Sequence, residues 1–97
     1  MTIGFHPLAN QELTEAGQFY EGRAEGLGSR FLDAAERVVQ LLDAHPELGR
    51  PLSKTIRSLP VPEFPYAVVY RSEADRLFVV AIAHLRRRPK YWTGRVR

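Results

Sequence analysis

Apolar residues recur along the first third of the chain at Ala9, Leu13, Ala16 and Tyr20, and the steps of four, three and four place them on one face of a helix. Glu12, Glu15 and Glu21 fall off that stripe. The early glutamates suit the positive end of the helix dipole, and Gly22, Gly26 and Gly28 mark where the helix ends and the chain turns. Before it, Thr2 to Phe5 reads as a brief strand closed by Pro7, a residue well suited to open a helix because its missing N–H is unpaired there anyway. A second helix is predicted from Ser29 as its cap, with Phe31, Ala35, Val38 and Leu42 repeating the stepping and Leu32 and Val39 thickening the stripe. It stops at His45, because Pro46 disfavours helical geometry in the residue before it.

Each helix carries one apolar stripe, so the hairpin they form needs a further surface to cover. Three strand-like runs supply it after the loop from Pro46 to Ser53. The first spans Lys54 to Val61, with Ile56 and Leu59 inward; the second spans Tyr66 to Arg71. The third, Arg76 to His84, is apolar enough for burial on both faces and reads as a central strand. Ser72-Glu73-Ala74-Asp75 suits a hairpin between the last two. The expected architecture is an α+β fold, β-α-α-β-β-β, with a helical hairpin on one face of a four-stranded, mainly antiparallel sheet. The opposite face is expected to stay open for a partner.

At 97 residues, 44% hydrophobic and 26% charged, the chain supports one hydrophobic core rather than two, so residues 1–97 are expected to form one domain. Charge changes the picture more than composition does. Of fourteen Lys and Arg, six (Arg86, Arg87, Arg88, Lys90, Arg95 and Arg97) lie in residues 86–97, which hold none of the eleven Asp and Glu. A segment of +6 therefore leaves a body of −3. Such asymmetry points to a polyanionic or acidic partner met by the basic C-terminal tail 86–97, and the bland alternative is a solubilising, frayed end.

There is no cysteine, which removes disulfides, thiolate metal sites and a cysteine nucleophile. His6, His45 and His84 lack carboxylate or histidine neighbours at ligand spacing, so no metal and no cofactor is expected. Neither a signal-like N-terminal segment nor a membrane-length apolar run is present, and a cytoplasmic chain with no membrane partner is the expectation. Nucleotide-binding loops and nucleophile elbows are likewise missing.

Several segments together resemble a known family. Phe5-His6-Pro7-Leu8-Ala9, the link Gly26-Leu27-Gly28 followed by Phe31, the loop Pro46-Glu47-Leu48-Gly49-Arg50-Pro51, and Phe64-Pro65-Tyr66 running into Val69-Tyr70-Arg71 look like the ParE branch of the RelE/ParE toxins of type II toxin–antitoxin systems. The sharpest match is Ala83-His84-Leu85-Arg86-Arg87-Arg88-Pro89-Lys90-Tyr91-Trp92, similar to the branch's His-x-x-Arg-x-Pro-x-Tyr-Trp ending. The resemblance implies a toxin linked to plasmid stabilisation, held inactive in a hetero-oligomer with a cognate antitoxin. It also implies one of two targets. ParE-type toxins poison DNA gyrase without an established catalytic group, whereas RelE-type toxins cut messenger RNA on the ribosome.

Two sets of candidates follow. As target contacts, Arg86, Arg87, Arg88 and Lys90 interleave with Tyr91 and Trp92, a mix that binds phosphates and bases or anchors a protein interface. In the structural alternative, Trp92 folds back over the core and the arginines pair with helix carboxylates. As nuclease groups, His84, Arg87 and Tyr91 are the candidates, with Arg57 and Arg71 as supporting cations or solvated strand-end charges. His84 also reads as a strand-end histidine that orders the tail. The middle strands carry no basic run, which weighs against catalysis. A harmless binding module is the remaining reading.

Overall fold

The computed structural model describes residues 2–96, in the order β1 (Thr2–Phe5), α1 (Pro7–Arg23), α2 (Leu27–Ala44), β2 (Arg50–Pro51), β3 (Ile56–Pro60), β4 (Tyr66–Glu73) and β5 (Arg76–His84), with 3₁₀ turns at Pro46–Leu48 and Thr93–Arg95. The five strands form one mixed sheet ordered β1-β5-β4-β3-β2. β1 runs parallel to β5 and the other neighbours are antiparallel. The expected α+β arrangement is present with one strand more than predicted. β2 is only two residues long and contains Pro51, so its pairing with Arg57 and Ser58 leaves no alternation to read in the sequence.

The ends of the helices also differ from expectation. No acidic residue lies in the first turn of α1; instead His6 caps it, its Nδ1 accepting from the Leu8 N–H at 3.1 Å. α2 begins two residues before Ser29, with Gly26 as its cap, because an α1 residue does the capping: the Glu21 carboxylate accepts from the N–H groups of Gly26 and Gly28, both at 2.9 Å. Tertiary contact thereby replaces the local cap that the sequence suggested. At the other end α2 stops at Ala44 with His45 as its C-cap.

Hydrophobic residues are buried on both faces of the sheet. On the helical face Ala9, Ala16, Phe31, Ala35, Val38 and Leu42 meet Val68, Tyr70, Leu77, Val79 and Ile82. An aromatic cluster closes one end of this layer, the rings of Tyr20, Phe31, Phe64 and Tyr66 standing 5.0–6.2 Å apart where paired. Tyr66, the strand residue opposite His84, stacks edge-on against that imidazole at 4.9 Å. Ile56 and Leu59 do not share a face: Ile56 belongs to the second cluster and Leu59 to the first, as the period of two along β3 requires for positions three apart.

Contrary to expectation, the second face is not open. Ile56, Val69, Val80 and Ala81 pack there with Trp92, flanked by Tyr91 and Val96 of the tail. A β-bulge makes room for this. Val69 pairs with Ala81 and Tyr70 with Val79, leaving Val80 without a partner on β4, so consecutive residues Val80 and Ala81 both join the second cluster while Val79 and Ile82 face the helices.

Candidate functional site

After His84 the chain leaves the sheet through a compact turn. The Leu85 N–H donates to Pro65 O, and the N–H groups of Arg86 and Arg87 return to His84, the first to its Nδ1 at 3.0 Å and the second to its carbonyl at 3.0 Å. Lys90 holds a left-handed backbone (φ 60°), and its carbonyl accepts from both the N–H and the hydroxyl of Thr93. This geometry turns the chain back over the second face. Trp92, 5% exposed, is inserted among the β residues, while Arg86, Arg87, Arg88, Pro89 and Lys90 project into solvent.

The tail is gripped from the opposite side by a residue of α1. Glu12 Oε1 accepts from the Ile82 N–H at 3.1 Å and from Arg95 Nη1 at 2.9 Å, and Oε2 accepts from Tyr91 Oη at 2.7 Å and from Arg95 Nη2 at 2.9 Å. Arg95 Nη1 also donates to the carbonyl of Val80, the bulged residue. Glu12 is in reach of Ile82 because β1 pairs with β5 only as far as Val79 and then turns into α1, leaving the next N–H groups on that edge without a strand partner. Burial by itself would raise the Glu12 pKa. The hydrogen bonds from Arg95, Tyr91 and Ile82 and the Arg95 charge outweigh it and hold the carboxyl below its ordinary 4.5. The same contacts act in reverse on the partners: burial and the Glu12 carboxylate push the Tyr91 hydroxyl far up, and Glu12 raises Arg95 further.

Next to this cluster lies a cleft of about 250 Å³ lined by Glu12, Glu15, Ala16, Phe19, Tyr66, Ile82, His84, Arg87 and Tyr91. The structure therefore brings His84, Arg87 and Tyr91 together, with the Arg87 guanidinium 4.0 Å from the centre of the Tyr91 ring. Their chemistry is constrained. The Tyr91 hydroxyl donates its proton to Glu12, His84 Nδ1 already accepts a backbone N–H, and two carboxylates stand on the wall where a phosphate would have to enter.

Arg57 and Arg71 are not brought to this cleft. On β4, Arg71 lies five residues from Tyr66, the partner of His84, or roughly 17 Å along the strand. Arg57 is structural: its Nη1 donates to the carbonyls of Glu47 and Gly49 and ties down the loop before β2. Of the proposed target contacts, Arg86, Arg87, Arg88 and Lys90 are accessible, Tyr91 is half-buried and Trp92 is packed inside; Arg97 of the basic tail lies outside the described residues. The helix carboxylate pairs with Arg95 rather than with the arginine run. Glu12 and Arg95 were missed as site residues. Glu12 is adjacent to the Ala9–Ala16 stripe, but this matters only once the tail returns. Among the described residues no group of His, Cys, Asp or Glu is placed to hold a metal ion, and no helix is long and apolar enough to cross a membrane.

The chain matches the family model described as the ParE toxin of the type II toxin–antitoxin system parDE over residues 3–89. Among curated proteins none matches it. Among solved structures, it is similar to a chain from the chromosomal ParDE TA system from P. aeruginosa, with a TM-score of 0.62 and 16% identity over 87% of this chain and 95% of that one. That likeness is one of fold, and the two helices on a mixed sheet agree with it. With the family match spanning nearly all of the folded region, the chain belongs to the ParE toxin family of type II toxin–antitoxin systems.

Proposed function

We propose that this protein is the toxin of a toxin–antitoxin pair, acting in the cytoplasm by inhibiting DNA gyrase without catalysis and neutralised by a cognate antitoxin in a hetero-oligomer. The observation that carries this reading is the exposed cationic turn from Arg86 to Lys90, set on an ordered tail beside a cleft whose tyrosine hydroxyl is already bonded to Glu12. Concentrated positive charge on a shaped surface favours binding to a polyanionic or acidic target. A general base or acid, by contrast, needs a free proton-transfer position, and Tyr91 has none. A second reading, a ribosome-dependent messenger RNA endonuclease using His84, Arg87 and Tyr91, is favoured by the meeting of those three side chains in one cleft.

A gyrase supercoiling and cleavage-complex assay, run beside a ribosome-bound messenger RNA cleavage assay, separates the two. Trapped gyrase–DNA complexes with intact RNA support the gyrase reading. Codon-positioned RNA cuts with normal supercoiling overturn it in favour of the nuclease. Growth that continues when the chain is expressed alone overturns both and leaves a binding module. The antitoxin is tested by co-expression with the short open reading frame beside this one, which should restore growth and co-purify.

A further inference from the structure

We propose that Glu12 is a positioning residue: by gripping Tyr91 and Arg95 it keeps the tail docked on the second face of the sheet and so presents the cationic turn Arg86–Lys90 to the macromolecular target as a fixed surface. The inference rests on the reading of that turn as the target contact. It joins Glu12, inside the family match, to Tyr91 and Arg95, which lie beyond its end at residue 89.

The way the tail is attached carries the argument. Among the described residues every backbone hydrogen bond donated by residues after Leu85 ends on residues 84–96, so no ladder ties the tail to the sheet. Docking depends on side chains: Trp92 in the second cluster, and the polar set of Glu12 with Tyr91, Arg95, Ile82 and Val80. Glu12 is the only member that joins α1 to both β5 and the tail. Its two oxygens accept four hydrogen bonds at 15% side-chain exposure, a paired geometry that fixes orientation as well as adding energy. The shape of the turn depends on this grip. Lys90 is held at φ 60°, a conformation that a non-glycine residue adopts only under constraint from its surroundings, and Arg87 lies over the Tyr91 ring that Glu12 orients. With the carboxylate removed, Tyr91 and Arg95 would lose their partner on α1, and four cations would sit on a loosely docked arm that must be ordered anew on binding.

Trp92 is the chain's single tryptophan, so its emission reports docking of the tail directly, and Arg86, Arg87 and Lys90 of the turn are trypsin sites, the Arg88–Pro89 bond being resistant. The experiment compares wild type, Glu12→Ala, Glu12→Gln, Tyr91→Phe and the double variant E12A/R95A by Trp92 emission, trypsin cleavage at residues 86–90, far-UV circular dichroism and growth arrest on expression. Glu12→Ala should shift Trp92 emission to the red, speed tail cleavage by about tenfold while the helices persist, and weaken growth arrest by a similar factor. Glu12→Gln, which keeps the shape, and Tyr91→Phe, which removes one bond of four, should give smaller effects of the same sign. E12A/R95A should add little to E12A, because the Glu12–Arg95 pair is already gone and only the Arg95 bond to the Val80 carbonyl is lost besides.

Unchanged emission and cleavage in Glu12→Ala overturn the proposal, as does a released tail with undiminished growth arrest. If Glu12→Ala does not fold, Glu12→Gln and Tyr91→Phe decide by the same readouts. A wild-type chain that leaves growth unaffected defeats the proposed function instead, and emission and cleavage then decide the grip on the tail alone.

Discussion

The buried hydroxyl of Tyr70 on β4 accepts a hydrogen bond from the Gly49 N–H at 2.9 Å, and a Cβ added at Gly49 would collide with the same phenol ring. Tyr70 also donates to the carbonyl of Pro46 at 2.6 Å, so one side chain fastens the loop between α2 and β2 to the middle of the sheet. Tyr70→Phe keeps the ring and strands both backbone groups, and should cost about 1–3 kcal/mol. Gly49→Ala should cost at least as much, since either the ring or the loop has to move. Urea unfolding midpoints test both; a neutral Gly49→Ala would mean that the loop is free to shift.

Two glycines of the helical hairpin should respond in opposite directions. A Cβ at Gly28 would meet the Gly17 carbonyl of α1 and the Glu21 side chain, whereas one at Gly22 meets nothing within 4 Å. Gly28→Ala should therefore destabilise by about 1–3 kcal/mol through forced separation of the helices. Gly22→Ala, within α1, should stabilise by about 0.5–1 kcal/mol by restricting the unfolded chain. Thermal midpoints that move in the same direction for both would contradict this packing.

Acid should release the tail. Glu12 is held below 4.5 in the folded chain and returns to about that value on unfolding, so its contribution is complete above pH 4.5 and is lost as pH falls through the folded value. Arg95 and Tyr91 keep their protons throughout that window, their values being raised by Glu12 and, for Tyr91, first by burial. Trp92 emission should shift to the red below pH 4.5 in wild type, and Glu12→Gln should remove that acid step. Glu21 is also lowered, through the Gly26 and Gly28 N–H groups, but it caps α2 away from the tail. Glu21→Gln should leave the Trp92 titration in place.

The tail's aromatic and basic residues should separate by assay. Trp92→Ala should cost about 3 kcal/mol of stability, as removal of a buried large side chain does, while Arg88→Ala and Lys90→Ala stay within about 0.5 kcal/mol. Because deletion of residues 86–97 would remove Trp92 and Arg95 as well, charge is better tested by Arg86→Ala with Arg88→Ala. If the turn contacts phosphates, binding to duplex DNA or a gyrase–DNA complex should lose about 0.9 of log–log salt slope per contact. An unchanged slope assigns the turn to a protein surface.

By itself, the sequence determined the two helices, the four longer strands and their order, and missed only the two-residue β2. Both helices, the hairpin joining β4 to β5, and β5 as an interior strand are legible because the periods of 3.6 and 2, the polar link Ser72–Asp75 and the prolines at 7 and 46 act within a few residues. The gathering of His84, Arg87 and Tyr91 was legible in part, since all three follow closely along the chain. What only the tertiary structure decided is what covers the second face, who caps α2 and what Glu12 does. Trp92 read from the sequence either as a target contact or as folded back over the core, and only the fold chose the second; Glu21 caps a helix that begins several residues later, and Glu12 meets partners 70 to 83 positions away. Those contacts follow no local period. They exist because the β5 bulge offers the Val80 carbonyl, β1 ends early enough to expose the Ile82 N–H, and a half-buried carboxylate in that gap must find donors wherever the chain can bring them.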